Sequence, residues 1–184
     1  MSDVNQVSGD SGKSGFRIGS LMFFVRDLCI SVVLALLVII LLYQPVKVEG
    51  TSMMPSLEDE ERIFVNKYIY RFGIQEISRG DMVVFWFPGD TTKSYIKRVI
   101  GLPGDVVEIR AGRVMINASP LDERYVPDDF RGHDSMAPQV VPEDIYFVLG
   151  DHRNSSNDSR AFGSVHRRYV YGKAVFVYWP LERL

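Results

Sequence analysis

Apolar residues along this chain fall into two textures. From Leu28 to Tyr43 the sequence reads LCISVVLALLVIILLY, sixteen residues in which Ser31 is the one polar side chain. Downstream, apolar residues come instead in short runs punctuated by Gly, Pro and Asp, the texture of β-strands. At about 1.5 Å per residue the continuous stretch spans roughly 24 Å, short of a hydrocarbon core of about 30 Å. Leu21 to Val25 and Val46 can lengthen it. A helix of a soluble core would show a polar face, and this one has none. A cleaved signal peptide needs small residues at −3 and −1 after its apolar region. Here Tyr43-Gln44-Pro45-Val46-Lys47-Val48 follows. The pattern therefore predicts a single transmembrane anchor over 21–46.

The polar start, MSDVNQVSGDSGKSG, nearly lacks large apolar side chains and predicts a disordered tail over 1–20. Its Gly12-Lys13-Ser14 is the ending of a phosphate-binding loop, but the opening Gly of that motif falls on Val7 and no strand precedes it. Lys13, Arg17 and Arg26 precede the anchor, whereas Lys47 and Arg62 follow it closely, so the positive-inside rule places the N-terminus in the cytoplasm.

After the anchor, strands are expected at 62–66, 82–87, 95–100, 106–110, 113–117, 145–149 and 170–179. The runs 106–110 and 113–117 flank Ala111-Gly112 and read as a hairpin. No long amphipathic helical period appears, so the expected fold class is mainly β, an extracytoplasmic domain over 47–184 preceded by one N-terminal transmembrane helix. Residues 118–144, rich in Pro and Asp, read as a long excursion without strands.

Charge and composition narrow this further. With 21 Lys plus Arg against 23 Asp plus Glu the net charge is -2, so the chain is not a polybasic nucleic-acid binder. Its single cysteine, Cys29, excludes an intramolecular disulfide and lies at the start of the anchor, which leaves the outer domain without cysteine. His133, His152 and His166 show neither metal-ligand spacing nor the partners of a Ser-His-Asp triad. The aromatic runs 85–88 and 176–180 have two readings, packing within the sheet or insertion into a membrane interface. Asn117, Asn154 and Asn157 sit in N-x-S/T matches, and glycans at the last two would obstruct the site considered next.

Three blocks carry candidate chemistry. The first is Gly50-Thr51-Ser52-Met53-Met54-Pro55-Ser56-Leu57. The second, Tyr95 to Asp105, places Lys97 in an otherwise apolar strand. The third is the polar loop Gly150 to Arg160, where Arg153 at the third position of the acidic run is unlike a calcium loop. A serine hydroxyl becomes a useful nucleophile when a neighbouring base takes its proton, and an amine serves as that base when burial lowers its pKa. In an extended strand Tyr95, Lys97 and Val99 share one face, with Ile96, Arg98 and Ile100 on the other. Taken singly, each block has a plain structural reading: Ser52 as a turn or cap residue, Lys97 as a solvated edge charge, and the third block as an Asx-rich turn.

Together and in this order behind an anchor, the blocks resemble those of bacterial type I signal peptidases. Ser52-Met53 with Pro55 matches the family's serine block, Tyr95 through Asp105 its lysine block, and Gly150-Asp151, Arg153, Ser156 and Asp158-Ser159-Arg160 its closing block. The resemblance implies a β-rich catalytic domain that removes signal peptides from exported preproteins, cutting after small residues at −1 and −3. It implies Ser52 as nucleophile, Lys97 as general base, and Ser156 as the serine that hydrogen-bonds and orients the lysine. Asp151, Arg153, Asp158 and Arg160 would form a supporting charge network, and the Ser52 amide an oxyanion donor. No cofactor and no metal is implied. Partners would be preprotein signal peptides, the lipid bilayer and, transiently, the export machinery, at the bacterial plasma membrane. Two departures are visible: Gly50 stands where some members carry a serine as second oxyanion donor, and His152 replaces a common asparagine. Two other readings stand beside this one, a dedicated processing peptidase of a conjugation or secretion system and a non-catalytic, membrane-tethered β domain that binds exported proteins.

Overall fold

In the computed structural model, residues 14–70, 72–180 and 182 are described. The chain divides into two compact units whose boundary falls between Leu41 and Leu42. Among the described residues the first consists of helix α1, Ser14–Leu42, up to its last residue but one. Its stretch Gly19–Leu42, 24 residues with none buried, is long and apolar enough to cross a membrane. At about 1.5 Å per residue that gives roughly 36 Å, enough for the hydrocarbon core. The added length comes from the N-terminal side, through Leu21 to Val25. Ser31 donates its hydroxyl proton to the Asp27 carbonyl at 2.8 Å, so the one polar side chain in the apolar run is satisfied within the helix. Arg26 and Asp27 pair with each other at 2.9 Å.

Two boundaries differ from expectation. Residues 14–20 are helical rather than part of a disordered tail, because an established helix gains a hydrogen bond for each residue added. The rest of that expected tail, 1–13, lies outside the described residues. At the other end 43–46 leave the helix: Pro45 has no N–H to donate and disfavours helical Gln44 before it.

The second unit holds two antiparallel sheets. β1 (Tyr43–Lys47), β2 (Arg62–Asn66), β3 (Met82–Phe87), β4 (Asp90–Gly101), β9 (Ile145–Leu149), β10 (Val165–His166) and β11 (Val170–Trp179) form one, in the order β1-β2-β11-β3-β4-β9-β10. β5 (Val106–Arg110), β6 (Arg113–Ile116), β7 (Ser119–Pro120) and β8 (Met136–Val140) form the other, in the order β7-β6-β5-β8. The hairpin is present, with Arg110 opposite Arg113. The excursion at 118–144 is not strandless. β7 and β8 lie within it and pair with β6 and β5 at the two edges of the smaller sheet. Each carries a proline, which an edge strand tolerates because one side of its backbone needs no partner. A short helix α2, Ser159–Phe162, is capped by Asp158, whose carboxylate accepts from the Arg160 amide at 3.3 Å.

Alternation along the strands builds the core. On β3, Val83 and Phe85 enter a cluster with Val99 and Val148, while Val84 turns to the opposite cluster with Val48, Met53, Leu57 and Val65. The second cluster underlies the loop 48–61 and fixes Ser52. A third, with Ile100, Val107, Ile109 and Phe147, joins β4 and β9 to the smaller sheet.

Candidate active site

The loop between β1 and β2 is closed at its base by two backbone bonds: the Val48 amide donates to the Glu61 carbonyl at 2.7 Å, and the Glu60 amide to the Val48 carbonyl at 3.0 Å. Met53 and Leu57, each only 2% exposed, anchor the loop in the core, so half-buried Ser52 is held from the residue beside it. Gly50 donates its amide to Asp59 Oδ1 at 2.7 Å and has φ of +93°, a conformation costly for any residue with a Cβ. That backbone accounts for the missing serine: the position a second oxyanion donor would occupy is shaped for glycine.

Lys97 comes from β4, opposite Val83 in the register. Its side chain is 4% exposed. Nζ lies 2.7 Å from Ser52 Oγ, donates to the Ile96 carbonyl at 3.1 Å, and sits 5.4 Å from the centroid of the Tyr95 ring. Desolvation pulls the ammonium pKa down to about 8, against the opposing fields of Asp158 and Asp151. At that value a useful fraction of the amine is neutral near neutral pH. The reading of Lys97 as a solvated edge charge is thus excluded, whereas Ser52 does sit in a turn and adds to it the contact of its hydroxyl with Lys97.

The closing block forms the wall behind the pair. Asp151, fully buried, receives a two-pronged bond from Arg98, Nε to Oδ1 at 2.8 Å and Nη2 to Oδ2 at 2.6 Å. Buried Arg153 donates through Nε to the Gly150 carbonyl at 3.0 Å and pairs with buried Glu123. Asp158, also fully buried, accepts from the Gly150 amide at 3.1 Å and from Arg160 Nε at 2.8 Å, while Arg160 Nη2 reaches the Arg153 carbonyl at 2.7 Å. Three of the four expected network residues, Arg153, Asp158 and Arg160, hold the backbone of Gly150 and Arg153, whereas the Asp151 carboxylate is engaged by Arg98 instead.

Ser156 behaves differently from expectation. Its Oγ is buried and, among the described residues, has no hydrogen-bond partner, and Lys97 is oriented instead by Ser52 and the Ile96 carbonyl. The reason is the tight approach of two loops at Gly150. A Cβ built there would lie 2.2 Å from Ser156 Oγ and 2.4 Å from the Ser52 carbonyl oxygen, so the hydroxyl packs onto a glycine α-carbon. His152, in place of asparagine, takes up a tethering role: its amide donates to the Ser52 carbonyl at 3.1 Å, and its Nδ1 lies 3.1 Å from the Thr51 carbonyl, which requires the Nδ1–H form.

Several residues of the site were not singled out from sequence. Arg98 links all three blocks, since besides Asp151 it donates to Ser56 Oγ at 3.0 Å and lies 4.2 Å from the Tyr125 ring centroid. Its place opposite Lys97 in the strand alternation was a usable signal. Glu123 and Tyr125 carried none, because Glu123 lies 30 positions from its partner Arg153 and Tyr125 is also far along the chain from Arg98. Ser159 Oγ accepts the Val148 amide at 2.9 Å and ties β9 to the loop.

Ser52 and Lys97 open into a cavity of about 430 Å³ whose other walls include Val46, Val48, Val84 and Ile96. Among the described residues the Ser52 amide has no hydrogen-bond acceptor. Of the aromatic runs, Phe85 is fully buried and belongs to the core, whereas Trp86, Phe176 and Trp179 are exposed.

Residues 21–179 match the family described as signal peptidase, peptidase S26. Signal peptidase I of Leptolyngbya laminosa is 40% identical over an alignment covering 89% of this chain and 82% of that protein. Signal peptidase I of Bacillus licheniformis is 38% identical, covering 94% and 96%. A crystal structure of signal peptidase I from Enterococcus faecalis V583 aligns at 33% identity and a TM-score of 0.49, covering 55% of this chain and 98% of that one. With the family matched over most of its length and relatives of this identity covered nearly end to end, the chain belongs to the signal peptidase family, peptidase S26.

Proposed function

We propose that this protein is a membrane-anchored serine endopeptidase that removes signal peptides from exported preproteins by a Ser52–Lys97 dyad. The observation that carries the proposal is the 2.7 Å approach of Lys97 Nζ to Ser52 Oγ within a desolvated site that lowers the lysine pKa. Neutral Lys97 takes the hydroxyl proton as Ser52 Oγ attacks the scissile carbonyl carbon. The Ser52 amide donates to the developing oxyanion. As the tetrahedral adduct collapses, Lys97 returns the proton to the leaving amine. A water then attacks the ester with the same lysine as base, releasing the signal peptide's carboxylate and restoring Ser52.

The apolar walls from Val46, Val48, Val84 and Ile96 fit small side chains at −1 and −3. Asp151, Arg153, Asp158 and Arg160 hold the loop that packs behind the dyad. With the N-terminus cytoplasmic and the β unit outside, anchoring confines enzyme and membrane-inserted substrate to one surface and raises their effective concentration. Delivery by the export machinery is the matching source of substrate.

The test is cleavage of a preprotein by Ser52→Ala and Lys97→Ala variants of the full chain, with folding checked by thermal melting. Each is expected to lose roughly 10⁴-fold or more in kcat. Near-full turnover by either folded variant defeats the dyad. A serine-reactive acylating probe should label the wild type at Ser52; failure to label, with function intact in Ser52→Ala, would favour a binding domain.

A further inference from the structure

A second cavity, of about 910 Å³, shares Ser94 and Tyr171 with the one that holds the dyad. Its charge is unlike the rest of the unit. Elsewhere cations are mostly neutralised: Lys47 by Glu60, Arg79 by Asp105, Arg110 by Glu108, Arg124 by Asp122 and Lys173 by Asp81. Lys67, Arg167 and Arg168 all line this cavity, and none has a carboxylate partner among the described residues. Asp144 is the one acidic side chain on the described wall.

These cations are carried on fixed backbone. Lys67 opens a turn whose amides at Tyr68 and Ile69 donate to Asn66 Oδ1 at 3.0 and 3.1 Å. Arg167 and Arg168 begin a turn capped by His166, whose Nδ1 accepts from the Arg168 amide at 3.2 Å, and the Arg167 amide donates to the Asp144 carbonyl at 2.8 Å. Three like charges gathered around one cavity repel one another unless an anion sits among them.

Two further features say which anion. Gln44 lines the cavity and lies two residues after the last residue of the spanning helix, so chain connectivity alone keeps it within about 8 Å of the helix end. Exposed Trp86, whose ring packs at a tilt 4.6 Å from that of Tyr171, lies on the wall, and indole rings favour the headgroup level of a bilayer. We propose that this cavity binds the phosphodiester headgroup of an anionic phospholipid. Occupancy holds the β unit against the bilayer surface, beside the dyad cavity, where a membrane-inserted substrate presents its cleavage site. The proposal rests on the membrane-spanning reading of α1 and not on the Ser52–Lys97 dyad, so it can fail or stand independently of the peptidase mechanism.

The test is native mass spectrometry of the full chain in detergent micelles, titrated with phosphatidylglycerol or phosphatidylcholine. The wild type is expected to retain one phosphatidylglycerol in preference to phosphatidylcholine. Each cation near the surface contributes roughly fivefold, so Lys67→Ala, Arg167→Ala and Arg168→Ala together should weaken retention about a hundredfold. The control triple Arg62→Ala, Arg113→Ala and Arg124→Ala should leave it within about threefold. Should the cavity triple melt, exposed Lys67→Glu alone is expected to weaken retention by at least about fivefold. Glycerol phosphate and an oligoglutamate peptide serve as competitors. Equal retention by wild type and cavity variants, or equal retention of both lipids, overturns the proposal. Displacement of the lipid by glycerol phosphate at the same concentration assigns the cavity to free phosphate instead. Stronger displacement by oligoglutamate assigns it to an acidic polypeptide.

Discussion

Strand β4 carries two adjacent cations on opposite faces, and the protein treats them in opposite ways. Arg98 is given a fully buried carboxylate in bidentate geometry, a serine hydroxyl, a carbonyl and an aromatic face. Lys97 is buried more deeply but bonds to a hydroxyl and one carbonyl, with Asp151 and Asp158 acting on it only as distant fields. One face neutralises its charge and becomes a structural joint. The other withholds a counterion, and desolvation then makes the ammonium give up its proton near pH 8. Chemistry on this strand follows from where carboxylates were placed and where they were kept back.

The largest expected effect comes from putting a permanent charge on the reactive face. Lys97→Arg should be as inactive as Lys97→Ala, roughly 10⁴-fold down in kcat, because a guanidinium stays protonated and cannot accept the Ser52 proton. Preprotein cleavage measures this, and any variant turnover above about a hundredth of wild type would mean that the base lies elsewhere. In the wild type, kcat/KM should climb with pH and level off through an apparent pKa of about 8 as Lys97 is deprotonated. A profile flat from pH 6 to 9 contradicts a lysine base.

Breaking the structural face should cost stability. Arg98→Met leaves Asp151 buried without its partner, and losing one member of a buried pair costs about 3–5 kcal/mol. Adding Asp151→Leu should restore part of that loss, since an apolar pair of similar size avoids the stranded charge. Urea unfolding of the two variants separates these outcomes, and additive losses would show that the pair is not coupled.

The same measurement on Lys97 should give the opposite sign. A lysine whose folded pKa lies below its unfolded value binds fewer protons when folded, so stability rises with pH between about 8 and 10.5. Below that window the full penalty for the buried charge is present; above it, none. Lys97→Met should therefore be more stable than wild type at pH 7, by at most about 3 kcal/mol, with the gap closing toward pH 10.5. Stabilisation that persists unchanged at pH 10.5 would trace to packing rather than to the charge.

Which parts of this arrangement were legible in sequence follows a physical line. Central strands announced themselves: β2, β3, β5, β9 and β11 begin and end where their apolar runs do, and each is paired with a neighbour on both edges. The strands that escaped notice, β1, β7, β8 and β10, all lie at sheet edges, and Pro45, Pro120 and Pro138 disguised the first three. Ser52 and Lys97 became legible as chemistry only together, through three blocks in an order that resembles the family's, since singly each had a plain structural reading. Glu123 and Tyr125 were not, because their contacts with Arg153 and Arg98 are made only when the excursion folds back, and nothing local encodes that return.

The smallest effect concerns Ser156, where resemblance and geometry part. A buried hydroxyl without a partner forfeits its hydrogen bonds to water and gains none in return. Ser156→Ala should therefore be neutral or stabilising by less than about 1 kcal/mol, whereas Gly150→Ala, whose Cβ would overlap both Ser156 Oγ and the Ser52 carbonyl, should destabilise by about 1–3 kcal/mol. Combining the two relieves only the overlap with the hydroxyl, since the Ser52 carbonyl stays in place, so the double variant should recover part of the loss. The apparent pKa of the rate profile decides whether the hydroxyl acts on the lysine. With Lys97 held by Ser52 and Ile96, Ser156→Ala should leave that pKa near 8; a shift by a full unit would show that Ser156 acts on the amine in the free enzyme.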